Sequence, residues 1–169
     1  MLSAVLDGYS GARLDRTLTQ GADRLADSAG AYHDFSGRGP SVFVLDGVPA
    51  PGKTTSELEA ALRAQVERIA RDGVSEEELR RVKAQWVAQA VYKRDSLFNQ
   101  AREIGTWWIE GLPLDTSDRL IDLLQAVTAQ QVQEVARKYF GDDTLSVAHL
   151  LPQPIQSGAK PRPALNIRH

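Results

Sequence analysis

The residues with the clearest chemical meaning lie in the stretch SVFVLDGVPAPGKTTSELEAALRAQV, residues 41–66. Gly47, followed after four residues by Gly52-Lys53-Thr54, has the G-x-x-x-x-G-K-[ST] spacing of a phosphate-binding loop. Such a loop needs consecutive free backbone N–H groups ahead of a helix, and it belongs to a parallel sheet. Pro49 and Pro51 have no N–H to donate. Nucleotide binding is therefore a minor alternative, because a strand-to-helix turn capped by Thr54 explains the same residues.

The histidines do not indicate a metal site. His33, His149 and His169 lie far apart, and none has a partner four residues away, the spacing at which one helix presents two imidazoles to zinc. The chain has no cysteine, which excludes disulfides, thiolate metal sites and a cysteine nucleophile. We therefore expect no metal or cofactor on this chain.

Charge and length limit the classes of partner. The 169 residues have a formal net charge of -2, and 25% of them are charged, which gives no electrostatic case for nucleic acid or membrane surfaces. No apolar run approaches the roughly 20 residues that span a bilayer. The length fits one domain or a large piece of a bigger one.

The elements that must position any site form an α+β pattern. A helix interrupted near Gly8 and Gly11 comes first, followed by two strands whose short connection implies an antiparallel hairpin. Helices then alternate with turns up to a last strand. We expect a small antiparallel sheet covered on one face by helices. The predicted elements are helix 2–18, strands 26–35 and 41–48, helices 54–72, 75–110, 115–125 and 128–140, and strand 144–150.

Three helix starts have a Ser or Thr followed three positions later by Glu or Gln. This pattern predicts capping boxes, in which the two side chains and the two backbone N–H groups pair reciprocally. The pairs are Thr54 with Glu57, Ser75 with Glu78, and Thr128 with Gln131.

Four segments in a fixed order carry a family resemblance: GAYHDF, SVFVLDGVP, GVSEEELRRVKAQ and TAQQVQEVARKYF. Together with the elements between them, they resemble the second half-domain of the insulinase or pitrilysin family of zinc peptidases. The likeness extends from the first residue to about residue 152. It implies a half-domain over 1–152 and a flexible tail over 153–169.

The resemblance implies a clam-shell peptidase in which the other half carries the zinc motif H-x-x-E-H. This chain lacks that motif, so it resembles the zinc-free, substrate-binding half and is expected to be inactive alone. Its expected partners are a peptide substrate and a catalytic half that holds zinc, on the same polypeptide or as a separate subunit. The family's preceding strands are missing, which implies a truncated fragment, and family habit favours the periplasm over the cytoplasm. The alternative is a structural or processing subunit that has no peptidase activity.

In this family an arginine and a tyrosine near the first strand of this half are expected to bind the peptide and to stabilise the oxyanion of the tetrahedral intermediate. Tyr32 matches the tyrosine. The arginine usually stands seven residues earlier, where this chain has Leu25, so Arg24 is the candidate and Arg13 the alternative.

Overall fold

The chain folds as a β-hairpin and six α-helices in the residues described by the structure, a computed structural model: 1–34, 36–37 and 39–152. The elements are α1 (Leu2–Asp7), a π-helical turn (Asp15–Thr19), β1 (Ala26–His33), β2 (Phe43–Pro49), α2 (Thr55–Asp72), α3 (Glu76–Lys93), α4 (Leu97–Glu110), α5 (Thr116–Ala126), α6 (Ala129–Tyr139) and a 3-10 turn (Asp142–Thr144). The tail predicted for 153–169 lies outside the described residues.

The two strands form the predicted antiparallel hairpin. Side chains alternate between its faces, and one face, with Ala29, Ala31, Phe43 and Leu45, packs against the helical core. A register shift at Asp27, between Ala26 and Ser28, interrupts the pairing near the start of β1. The α+β fold with helices on one face of an antiparallel sheet is thus confirmed.

Helix α2 begins and packs as its sequence predicts. The Thr54 side chain accepts a hydrogen bond from the Glu57 N–H, and the Glu57 carboxylate accepts one from the Thr54 N–H, so this capping box is complete. The second complete box joins Thr128 and Gln131 at the start of α6. The buried residues of α2 recur at three- and four-residue intervals, which turns one stripe of the helix toward the core. They are Leu58, Leu62, Gln65, Val66 and Ile69.

The N-terminal segment supplies a large part of the core. Leu6 and Leu14 have no exposed surface, and Val5 is 1% exposed. Burying each such aliphatic side chain contributes about 1.5–3 kcal/mol relative to leaving it in water. The helix expected over residues 2–18 is interrupted after Asp7, close to Gly8 as predicted.

The single long helix predicted over residues 75–110 is wrong, because the chain breaks it into α3 and α4. Arg94 and Asp95 form a turn, and the Ser96 side chain then caps α4 by accepting a hydrogen bond from the Asn99 N–H. None of the helices in the described ranges is long and apolar enough to cross a membrane.

The strand predicted over residues 144–150 is also wrong. A strand needs a neighbouring edge to pair with, and among the described residues only β1 and β2 pair. The segment lies beside α2 instead, where the His149 imidazole is 3.0 Å from the Glu59 carboxylate. Its alternating apolar residues are exposed.

Candidate substrate-binding face

Tyr32 lies on the face of the hairpin opposite the helices, which we call the open face. It stands across the strands from Val44, and their exposed fractions are 55% and 40%. The phenol does not pack into the core, so it is available to a molecule in solution. A hydrogen bond to the Asp34 carboxylate raises the pKa of Tyr32, with desolvation and the negative charge of Asp34 as smaller causes. At neutral pH the phenol is therefore a protonated donor.

Arg24 lies at the other end of β1. Its Nε and Nη2 groups donate to one oxygen of Asp27, at 3.1 and 2.9 Å. Tyr32 stands five positions after Asp27 on β1, and at about 3.3 Å per residue this is roughly 15–17 Å. The structure therefore does not bring Arg24 and Tyr32 together at one carbonyl. One extended peptide of about five residues spans that separation.

Arg13, the alternative arginine, has a structural partner. Its Nε and Nη2 groups each donate to one oxygen of Glu78 at 2.7 Å, and Nη2 also donates to the Gly73 carbonyl at 3.2 Å. The Arg13 and Glu78 side chains are only 14% and 17% exposed. Because Glu78 binds Arg13, its carboxylate does not complete the box with Ser75, whose hydroxyl still accepts from the Glu78 N–H. That capping box is half formed.

The G-x-x-x-x-G-K-[ST] segment has the geometry of a capped turn. The Thr54 N–H donates to the Glu57 carboxylate at 2.7 Å, and the Lys53 N–H donates to the Ala50 carbonyl at 2.9 Å. Hydrogen bonds from the Thr54 backbone and side chain lower the pKa of Glu57. A carboxylate thus occupies the helix start where a phosphate would bind, and the preceding strand belongs to an antiparallel hairpin. This arrangement does not support nucleotide binding.

The described part of the chain contains no group of three His, Asp or Glu residues that could hold a metal ion. The His33 imidazole lies 3.1 Å from the Ser41 hydroxyl, and the His149 imidazole contacts the Glu59 carboxylate of α2. The two imidazoles therefore have different partners in different parts of the fold. These residues do not fit a zinc ion.

An open groove of about 490 Å³ runs beside β1, and its walls include the carboxylates of Asp7, Asp15 and Asp27. Burial raises the pKa of Asp7, although a hydrogen bond from the Ala31 N–H opposes the effect. The Thr19 hydroxyl is the main group that lowers the pKa of Asp15. Asp27, the third carboxylate, is bound to Arg24. The three residues come from separate segments, so their proximity has no local sequence signal.

The fold, with its open hairpin face, is similar to that of domains in three bacterial proteins assigned as proteases. The inactive peptidase domain of a Bordetella parapertussis protein assigned as a zinc protease superposes with a TM-score of 0.77 at 16% identity, over 93% of this chain and 83% of that one. A Bordetella pertussis Tohama I protein with the same assignment gives 0.68 at 16% identity, over 85% and 77%. A Helicobacter pylori protease gives 0.77 at 20% identity, over 85% of this chain but 34% of that one, so this chain spans about a third of its length.

The sequence profile of the peptidase M16 inactive domain matches residues 1–86. The chain therefore belongs to the peptidase M16 family, as its inactive domain. This confirms the resemblance to insulinase and pitrilysin, which are peptidases of that family. A search of curated proteins found no match.

Proposed function

We propose that this chain is the substrate-holding half of a zinc peptidase and that a separate catalytic half holds the zinc and the catalytic base. In such an enzyme zinc polarises the scissile carbonyl and lowers the pKa of its bound water. The residues of this chain hold the peptide in position and place a hydrogen-bond donor and a positive charge beside it. The observation that supports the proposal is the exposed phenol of Tyr32 on the open face of an inactive peptidase domain.

Tyr32 and Arg24 have different parts in this proposal. A peptide lies extended along β1, and the Tyr32 O–H exchanges its hydrogen bond with Asp34 for one to the carbonyl oxygen of the bond that is cleaved. Arg24, roughly 15–17 Å away along the strand, binds a peptide carbonyl or carboxylate about five residues further on. Asp27 orients the guanidinium before the peptide arrives.

The proposal predicts different kinetic effects for the two side chains. A donor aimed at a developing oxyanion typically contributes about 10²–10³ in kcat, so Tyr32→Phe should lower kcat by that factor. Arg24→Ala should mainly raise KM, because uniform binding of the substrate is lost. Both are measured as peptide cleavage by the complete native enzyme, with zinc content determined on the same preparation.

Tyr92→Phe is the matched control, because Tyr92 is an exposed phenol on α3; we expect it to leave both constants unchanged. If Tyr32→Phe also leaves kcat and KM unchanged, Tyr32 has no catalytic part. If the complete native assembly contains no zinc and cleaves no peptide, the structural or processing-subunit alternative replaces the peptidase proposal.

A further inference from the structure

Asp46 is an exposed carboxylate on the open face, close to Tyr32. It stands across the strands from Gly30, and Tyr32 stands across from Val44. Because side chains two positions apart on a strand share a face, Asp46 and Tyr32 lie on the same side of the hairpin. Gly30 precedes Tyr32 by two positions, which is roughly 6.6 Å along β1.

The missing side chain of Gly30 determines where this carboxylate lies. A Cβ atom added to Gly30 would be 2.8 Å from the Asp46 Oδ1 atom and 3.4 Å from its Oδ2 atom. The shorter distance is below any contact that real Cβ atoms make. The carboxylate therefore fills the space of a side chain at position 30 and leans across β1, and any larger residue there would displace it.

The negative charge of Asp46 has no positive partner among the residues that the structure describes, since no hydrogen bond or ion pair there holds its carboxylate. Arg24, at the start of the same hairpin, is already bound to Asp27. The charge that acts on Asp46 is a like charge. Burial is the main cause that raises the pKa of Asp7, and the negative charge of Asp46 adds to it. The open face beside Tyr32 therefore carries a negative charge that is not neutralised.

We propose that Asp46 is a specificity-determining residue, which binds a lysine or arginine side chain of the peptide about two residues from the bond that is cleaved. This inference rests on the proposed function, in which the peptide lies along β1 with its cleaved bond at Tyr32 and a more distant residue at Arg24. Asp46 lies between these two positions. A peptide residue there places its side chain over Gly30, where an ammonium or guanidinium group supplies the positive partner of the carboxylate.

Matched peptide substrates test this specificity in the complete native enzyme. One series of peptides has lysine, and a second series has glutamine, at each position in turn on either side of the cleaved bond. At the position that Asp46 contacts, we expect kcat/KM to be about two- to fivefold higher for lysine, the range of an exposed ion pair. This ratio should approach one at high salt, because salt screens the interaction of exposed charges.

Two substitutions separate the charge of Asp46 from its position. Asp46→Asn removes the charge, whereas Gly30→Ala keeps it but displaces the carboxylate, so each should bring the lysine-to-glutamine ratio close to one. Glu76→Gln is the control, because Glu76 is an exposed carboxylate on α3; we expect it to keep the ratio of the parent enzyme. A lysine preference that survives Asp46→Asn or Gly30→Ala, or a parent enzyme without the preference, overturns the inference.

Peptide binding to the chain alone separates this inference from the proposed function. Cleavage of the lysine and glutamine peptides at equal rates overturns the assignment of Asp46 and leaves the peptidase proposal standing. If the native assembly cleaves no peptide, an NMR titration of the isotope-labelled chain still measures binding. We expect the lysine peptide to shift the amide resonances of Gly30 and Asp46, and to bind about two- to fivefold more tightly than the glutamine peptide. Equal binding of the two peptides, or binding of neither, overturns the inference.

Discussion

The ion pair between Arg13 and Glu78 makes the sharpest prediction for stability. It joins residues 65 positions apart through two hydrogen bonds of 2.7 Å, and both side chains are largely buried. Glu78→Ala removes the carboxylate and leaves the Arg13 guanidinium with the Gly73 carbonyl as its remaining partner. The backbone contact with the Ser75 cap is retained, so the substitution tests the ion pair alone.

The expected loss follows from the geometry. A hydrogen bond to a charged group contributes about 1.5–3 kcal/mol, and breaking a fully buried ion pair by removing one partner costs about 3–5 kcal/mol. The Arg13 and Glu78 side chains are still 14% and 17% exposed, so water partly hydrates the guanidinium that the substitution leaves unpaired. We therefore expect a loss of about 2–4 kcal/mol in the free energy of unfolding. For a chain of this size, Tm should fall by about 4–15 °C.

Thermal and urea unfolding at neutral pH, followed by circular dichroism, measure this loss. Glu77→Ala is the control, because Glu77 is also in the first turn of α3 but pairs with Arg81 at 3.0 Å in a solvated position; it should cost about 0.5 kcal/mol or less. The double variant Arg13→Met/Glu78→Leu should recover most of the stability, since it leaves no unpaired charge. Equal losses for Glu78→Ala and Glu77→Ala would refute the argument.

The other stability predictions concern a helix cap and a carboxylate. Thr54→Ala removes the side-chain acceptor of the α2 capping box and should cost about 1 kcal/mol, or about 2–4 °C in Tm, whereas Thr54→Ser should cost much less. Burial raises the pKa of Asp7 above its ordinary value of 3.8, so its ionised form destabilises the fold as pH rises through the folded pKa. Asp7→Asn, which keeps an acceptor for the Ala31 N–H, should therefore increase the free energy of urea unfolding at neutral pH. That gain should vanish below pH 3.8, and a gain that persists there would contradict the assignment.

Local signals account for the elements that the sequence predicts well. Caps such as Thr54 with Glu57 depend on residues three positions apart, and the stripe of α2 depends on helical periodicity, so both are visible without tertiary structure. No local signal marks the break before Ser96, because this stretch has no Gly or Pro and because Asn99 stands where a capping box has Glu or Gln. The strand expected over residues 144–150 failed because alternation shows only that a segment could pair, whereas pairing needs a free edge nearby.

The candidate site also has features that the sequence predicts and features that it does not. The separation of Arg24 from Tyr32 follows from the rise of a strand and is therefore readable from the sequence once β1 is placed. The ion pair of Arg13 with Glu78 depends on how the N-terminal segment packs against the turn before α3, and no local pattern encodes it. The role of Tyr32 in substrate binding stays a prediction.

The hydrogen bond from the Ala31 N–H to Asp7 also bears on how the folded chain avoids fibril growth. Both hydrogen-bonding groups of a strand residue point to the same side, so this contact shows that the Ala31 backbone faces away from β2. A free N–H there would be a template for another strand, and a charged side chain that occupies it protects the edge. We expect fibrils of destabilised variants to start from the outer edge of β2, not from β1.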